Sequence, residues 1–374
     1  MLKKILLFYP SFENGGATKN LVNIVNYFLK KKIRVVLLSH NAKLNEFKLV
    51  KNLTIINSRP LKMISLLPIR WNLALSSMIS LFLHAKSNCN NSIIFSMQSH
   101  IPAIIVAKLI NKKIIIRNSE EPIGATIYAD NKLSAIIVLI LKFIFYNFAD
   151  KIIAISKESK KSLKKIITSK IKIILILNPY IDKFSQIKKK RLDKVKNRKF
   201  KILSAGRLVH QKNLIPLIEV ISNLSNDYKN IELDIVGNGS QKKKLVKQIK
   251  NIKNIKITSW QNNIKSNFLK SDLFILNSFY EGLPNVLIDA VNYEVPCIST
   301  NVSGAKDILL NGKGGYIVPI DNQQMLQKKI KYVMENYPEA INKAKYAKTR
   351  IKRFGKTNLL ILYKTFLKLV NNKK

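Results

Sequence analysis

A chain of 374 residues is too long for one ordinary hydrophobic core and fits two domains of roughly 150–200 residues. Its 47% apolar content supplies two cores and excludes global disorder. The 66 Lys and Arg against 21 Asp and Glu leave a net charge of +45. Two readings of that excess stand: a polyanionic partner (nucleic acid, an anionic membrane or a phosphorylated substrate), or the Lys-, Ile- and Asn-rich output of an A+T-rich genome.

Taken in chain order, MLKKILLFYP reads as a first β-strand and not as a secretory signal, because a Pro and charged residues follow its short apolar run. Further β-branched runs predict strands at 33–39, 92–97, 113–117, 151–155 and 171–177, separated by helical periods such as 18–31 and 101–111. Two apolar stretches, 61–83 and 133–149, are expected to be buried or membrane-surface helices. The first is broken by Pro68 and Arg70; the second carries Lys142 and falls short of the ~20 residues a bilayer crossing needs. After Asn178-Pro179 the stretch 183–201 holds ten Lys or Arg and one acid, with no apolar face, and reads as an exposed linker. The alternation then resumes with strands predicted at 200–205, 231–236, 254–259, 272–277, 296–300 and 315–319, and helices close the chain after about 337. The expected architecture is α/β: two Rossmann-like, doubly wound parallel-sheet domains, 1–180 and 200–374, joined by a basic linker at 181–199. Cys89 and Cys297 lie far apart, which suits a reducing compartment; Cys297, in EVPCIST, reads as a core residue of a buried strand.

Open parallel sheets bind ligands beyond the carboxyl ends of their strands, so tandem sheets predict a site in the cleft between them. Four strand exits carry suitable chemistry. Asn14-Gly15-Gly16-Ala17-Thr18 opens a helix, and glycines there let backbone approach an anion. It is not GxGxxG and no acid follows at ribose distance, which argues against a dinucleotide cofactor. In GRLVHQKN, Arg207 offers a planar fork and Lys212 a mobile point charge to a diphosphate; His210 reads as a loop residue. In EGLPNVLID, Glu281 precedes a Gly-Pro turn and Asp289 lies just over a turn inside the following helix. Two carboxylates there can hold separate hydroxyls of one elongated ligand, while backbone N–H groups around Leu283, Pro284, Asn285 and Val286 face a phosphate or sugar oxygen. His100 stands between a strand and a helix, and reads either as a hydrogen-bond donor in the cleft or as a capping or partly buried residue.

These segments together resemble the retaining glycosyltransferases of family 4, which have the GT-B fold. EGLPNVLID is similar to the family's E-x7-E motif with Asp289 in place of the second Glu, GRLVHQKN to its diphosphate-binding element, and GGA to its glycine loop. The resemblance spans both domains in the right order. It implies that Arg207 and Lys212 bind a nucleotide diphosphate, with Gly16, and Gly15 beside it, backing it from the opposite domain. It implies that Glu281 acts at the donor sugar, that Asp289 holds the ribose, that residues 283–286 line the sugar and phosphate, and that His100 is the family's N-domain histidine. Glu120 and Glu121 would contact the acceptor. The shorter Asp289, and Thr258-Ser259-Trp260 where the family often has Gly, depart from the pattern and put the ribose contact and the base-side loop around Trp260 and Gln261 in question.

No Asp-x-Asp pair follows a strand, and Glu232-Leu233-Asp234 reads as an exposed edge. The implication is transfer without a metal or cofactor, and the family resemblance implies retention of configuration. The expected partners are a nucleotide sugar, a lipid-linked or glycan acceptor and an anionic membrane surface, with the enzyme peripheral on the cytoplasmic face of a bacterial inner membrane. The rivals are a nucleotide-sugar 2-epimerase of the same fold, for which four histidines and few cleft acids offer little, and a basic nucleic-acid-binding protein. The latter lacks any zinc, helix-turn-helix or ribonucleoprotein signature, so no nucleic acid is expected.

Overall fold

The computed structural model describes residues 2, 4–13, 15–61, 69–86, 92–168, 173–182, 184–186, 198–260 and 264–371. Most of the basic linker, Asn14, Cys89 and Gln261 lie outside them, as does part of the 61–83 stretch. The chain forms two compact units. The first comprises Met1–Ile123, Leu133–Asp182 and Arg353–Lys374; the second comprises Gly124–Lys132 and Lys183–Lys352.

In the first unit seven strands form one parallel sheet: β1 (Lys4–Tyr9), β2 (Arg34–Ser39), β3 (Leu53–Asn57), β4 (Ser92–Ser96), β5 (Ile114–Asn118), β6 (Lys151–Ala154) and β7 (Ile173–Leu175), in the order β3-β2-β1-β4-β5-β6-β7. The inner strands are continuous apolar runs because helices cover both faces. On one face Ile5, Leu7 and Phe95 pack against α1 (Gly16–Lys30) and α14 (Thr357–Asn371), where Phe366 sits 5.1 Å from both Phe28 and Phe95. On the other, Leu6, Phe8 and Ile94 meet α2 (Ile69–Lys86) and α3 (His100–Leu109). Two features differ from the expectation. Strand β3 was not foreseen, since this edge strand pairs only with β2 and shows no buried run. And the last helix, expected in the second domain, belongs to the first unit: its buried Leu359, Leu362, Phe366 and Leu369 complete that core.

The second unit has six parallel strands: β8 (Phe200–Ala205), β9 (Ile231–Val236), β10 (Ile255–Thr258), β11 (Leu273–Leu276), β12 (Cys297–Thr300) and β13 (Tyr316–Val318), in the order β10-β9-β8-β11-β12-β13. Cys297 is buried there, as its apolar setting suggested. Counted from its own first strand, this is the doubly wound order 3-2-1-4-5-6, and the order reverses between β8 and β11. Strand β9 is therefore not an edge, correcting the reading of Glu232 and Asp234. Its acids sit between strands and pair with Lys199 at 2.5 Å and Lys256 at 3.1 Å.

Candidate functional site

In the second unit the strand exits of β8 and β11 lie side by side at the reversal point, where no crossover helix blocks a ligand. Strand β8 ends at Gly206, whose φ of +149° suits glycine; a Cβ there would stand 3.2 Å from Lys212 Cε. Arg207 follows and is exposed. The loop then passes through a short 3₁₀ turn to Asn213, in the left-handed region, which enters α7 (Leu214–Asp227). From β11 the chain runs through Asn277 and Ser278 to Glu281 and enters α10 (Asn285–Asn292) behind Pro284, with no side-chain cap.

The two loops are stitched together by backbone and amide contacts. Phe279 N donates to Gln211 O at 2.8 Å, Gln211 Nε2 to Tyr280 O at 2.7 Å and Asn277 Nδ2 to Asn213 O at 2.9 Å. Within this web Lys212 Nζ reaches Glu281 Oε1 at 2.5 Å, and Ser278 Oγ donates to the same oxygen at 2.8 Å. Glu281 is buried, and the cation and hydroxyl at its Oε1 satisfy a polar group that would otherwise be costly to bury. Ser278 is anchored in turn, its carbonyl accepting from Thr300 Oγ1 at 2.6 Å. The turn after Glu281 is braced by Ser303 Oγ, which donates to Gly282 O at 3.2 Å, and by Gly304 at φ +78°, where a Cβ would fall 2.7 Å from Leu283 Cδ1. A small open pocket lies beside the web, lined among others by Gly206, Arg207, Leu208, Lys212, Asn277 and Ser278.

Leu283 and Pro284 are buried in this turn, and Asn285 and Val286 form the half-buried first turn of α10. Asp289 is half-buried one turn further along, beside Tyr293, whose hydroxyl it helps hold above its ordinary pKa after burial. The structure thus brings Arg207, Lys212, Glu281 and the α10 N-terminus to one pair of strand exits.

His210 pairs with Asp130 at 3.1 Å and lies 4.9 Å from the Phe279 ring, on which Tyr128 stacks at 5.3 Å. The segment Gly124–Lys132, from the first half of the sequence, therefore groups with the second unit. Nothing in its local pattern announced this, because the contacts are made across about 80 and 150 positions. Ser278, Gln211 and Asn213 were also missed. Only Ser278 had a signal, its place three residues before Glu281. Trp260 is at the border of exposure, and Lys242 Nζ donates to the neighbouring Ser259 Oγ at 2.7 Å.

The first unit carries its own set at the exits of β1, β4 and β5. Gly15 is extended and opens α1, followed by Gly16; around Gly15 a Cβ would meet nothing within 4 Å. Ser11 N donates to Gln98 Oε1 at 2.8 Å, joining the β1 and β4 exits. His100 begins α3 and is buried edge-on against Tyr146. Burial, then the positive charges of Lys142 and Arg117, pull its pKa down to about 3, so the imidazole is neutral. Ser96 Oγ donates to Gln98 O and contacts His100 Nδ1 at 2.8 Å. Which of the two donates in that contact is set by the imidazole tautomer. Among the described residues, Arg117, 3% exposed, has neutral side-chain hydrogen-bond partners, Asn178 and Ser119, and burial lowers its pKa to about 10. Glu120 is ion-paired with Lys142.

Two parallel sheets of doubly wound type, each flanked by helices, define the GT-B class. Over nearly all of its length the chain superposes on sucrose-phosphate synthase from Thermosynechococcus elongatus (TM-score 0.81, 13% identity, 99% of this chain and 100% of that one). It likewise superposes on the Anabaena protein HepE in complex with UDP and glucose (TM-score 0.74, 16% identity, 98% and 99%). Residues 185–350 match the family glycosyl transferases group 1. Among relatives, an uncharacterized glycosyltransferase of Methanocaldococcus jannaschii is 34% identical over 226 residues, 56% of this chain and 55% of that protein. A Campylobacter jejuni N-acetylgalactosamine-N,N'-diacetylbacillosaminyl-diphospho-undecaprenol 4-alpha-N-acetylgalactosaminyltransferase is 27% identical over 261 residues, 68% of this chain and 70% of that protein. A second C. jejuni enzyme, an alpha-1,4-N-acetyl-D-galactosaminyltransferase acting on an undecaprenol-linked saccharide, is 29% identical over 55% and 57%. The chain thus spans little more than half the length of two of these three relatives.

Proposed function

We infer that this protein is a retaining glycosyltransferase. In this reading it moves a hexose or N-acetylhexosamine from a UDP- or GDP-linked sugar to a glycan acceptor on a polyprenyl diphosphate, in bacterial surface polysaccharide or glycan assembly. The observation that carries it is the constellation at the exits of β8 and β11. One buried carboxylate, Glu281, is gripped by Lys212 and Ser278 beside Arg207, the α10 N-terminus and an open cavity. The names of the C. jejuni relatives support the acceptor class.

Negative charge grows on the leaving diphosphate as the C1–O bond breaks. Arg207, Lys212 and the amide dipoles of α10 are the groups to offset it, without a metal. A diphosphate carries more charge than a carboxylate and draws Lys212 from Glu281, which Ser278 continues to hold. Glu281 then stands against the positive charge that develops on the sugar ring. The acceptor hydroxyl attacks from the face the phosphate leaves: its oxygen bonds to C1, its proton passes to the departing phosphate oxygen, and configuration is retained. Asp289 holds the ribose hydroxyls, Gly15 and Gly16 back the diphosphate, His100 hydrogen-bonds a sugar hydroxyl, and Glu120 belongs to the acceptor side. The acceptor class sets the enzyme on the cytoplasmic face of the inner membrane.

A panel of UDP- and GDP-sugars, scored by nucleotide release with a polyprenyl-diphosphate-linked acceptor in excess chelator, tests the reading. One donor should turn over with its α-configuration kept, and Glu281→Ala should lose about 10³-fold in kcat, at the upper end for removal of a transition-state contact. If Glu281→Ala and Asp289→Ala both kept full turnover and donor affinity, the site assignment would fail.

A further inference from the structure

Helix α5 (Lys132–Phe145) turns most of its large apolar side chains outward. Leu133, Ile137, Ile140 and Ile144, spaced i, i+4, i+7 and i+11, form one stripe, flanked by Ile136 and Phe143. All six are 47–71% exposed, and Phe148 just beyond the helix is 51% exposed. The inner side carries Lys142, 9% exposed and ion-paired with Glu120, beside half-buried Leu139 and Phe145, which pack on the core. A surface helix in water orders itself the other way round, so an apolar face of this extent marks an interaction surface. At 14 residues, about 21 Å long, the helix cannot cross a hydrocarbon core of about 30 Å, and no described helix is long and apolar enough to do so.

The neighbouring helix says what covers the stripe. Helix α6 (Lys157–Ile166) exposes Lys157, Lys161, Lys164 and Lys165 and carries one acid, Glu158. Its end is tied to the end of the α5 segment, with Thr168 N and Oγ1 both donating to Asn147 Oδ1 at 3.0 and 3.3 Å. Helix α5 itself contains no carboxylate. An apolar stripe with a lysine-rich helix at its end matches acyl chains beneath anionic headgroups. A second copy of a chain of charge +45 would be repelled from the same face.

We propose that α5 lies in the lipid–water interface of an anionic membrane with α6 against its headgroups, and that the Lys142–Glu120 pair thereby holds the 117–122 loop at the lipid surface. The loop is further tied to α5 through Tyr146, whose hydroxyl donates to Asn118 Oδ1 at 3.4 Å. A loop held there is placed for an acceptor that arrives in the membrane, and this consequence rests on the acceptor reading given above.

The test is flotation of the full chain with vesicles of phosphatidylglycerol and phosphatidylethanolamine, and with phosphatidylcholine vesicles. It is run beside nucleotide release on a water-soluble, short-chain diphosphate acceptor. Wild type should float with the anionic vesicles. Ile137→Glu/Ile140→Glu, both at exposed positions, should reduce the bound fraction at least tenfold while keeping soluble-acceptor turnover. Lys161→Glu/Lys164→Glu should abolish the preference for anionic lipid. Equal flotation of the glutamate variant and wild type, absence of flotation by wild type, or a change of oligomeric state as the sole effect of the α5 variant would each overturn the proposal. Flotation that depends on α5 without nucleotide release would uphold it and sink the transferase reading; release without flotation would do the reverse.

Discussion

The two units share a topology and handle charge in opposite ways. At the strand exits of the second, Lys212 and Glu281 meet around an open cavity and Arg207 stands exposed beside them. At the exits of the first, charge is buried or suppressed: Arg117 has neutral hydrogen-bond partners, Lys142 is turned inward, and His100 is held neutral. The lesson concerns exchange. A cation paired at a cavity can change partners when a more highly charged ligand arrives, whereas a cation locked into the interior holds a loop or tunes a neighbour.

The comparison is tested most strongly at Arg207 and Lys212. Arg207→Ala or Lys212→Ala should each lower kcat by about 10²–10³-fold, the range for removing one donor from a developing anion, with steady-state nucleotide release as the measure. A loss of less than threefold for both would remove the contrast between the units.

The next effect belongs to His100 and to acid. Its folded pKa of about 3 lies below the 6.5 of a free imidazole, so between those values the unfolded chain binds the extra proton. Stability therefore falls as pH drops through that window, by up to about 1.4 kcal/mol per pH unit from this residue. Urea midpoints measured from pH 7 to pH 4 should show a steeper acid limb for wild type than for His100→Gln. Equal slopes would mean that the imidazole takes up its proton in the folded protein.

The smallest effect is expected at Ser278→Ala, which removes one of two groups holding Glu281. A single such hydrogen bond contributes about 1 kcal/mol, or about fivefold in kcat, with donor KM nearly unchanged. Ser278→Thr, which keeps the hydroxyl, should recover part of the loss. A KM effect without a kcat effect would mean that Ser278 serves the cavity and not Glu281.

Most of the architecture was legible because it is local. Short apolar or alternating runs marked twelve of the thirteen described strands, and β3, an edge without a buried run, escaped. The strand-exit segments GRLVHQKN and EGLPNVLID were legible for a similar reason: glycine, proline and scarce acids punctuate strand ends in a sequence crowded with Lys. What stayed hidden is what depends on partners far along the chain.

By itself the sequence determined two alternating α/β halves, the glycine turns at their strand exits and the residue types at the site, since each depends on neighbours within about a dozen positions. Only the tertiary structure decided that the last helix completes the first core and that Gly124–Lys132 joins the second unit. It also decided that Lys212 grips Glu281 and that Lys142 turns inward while the apolar stripe of α5 faces out. Those outcomes follow from which surfaces are left to bury once the sheets have formed, a property of the packed chain that no local window of residues contains.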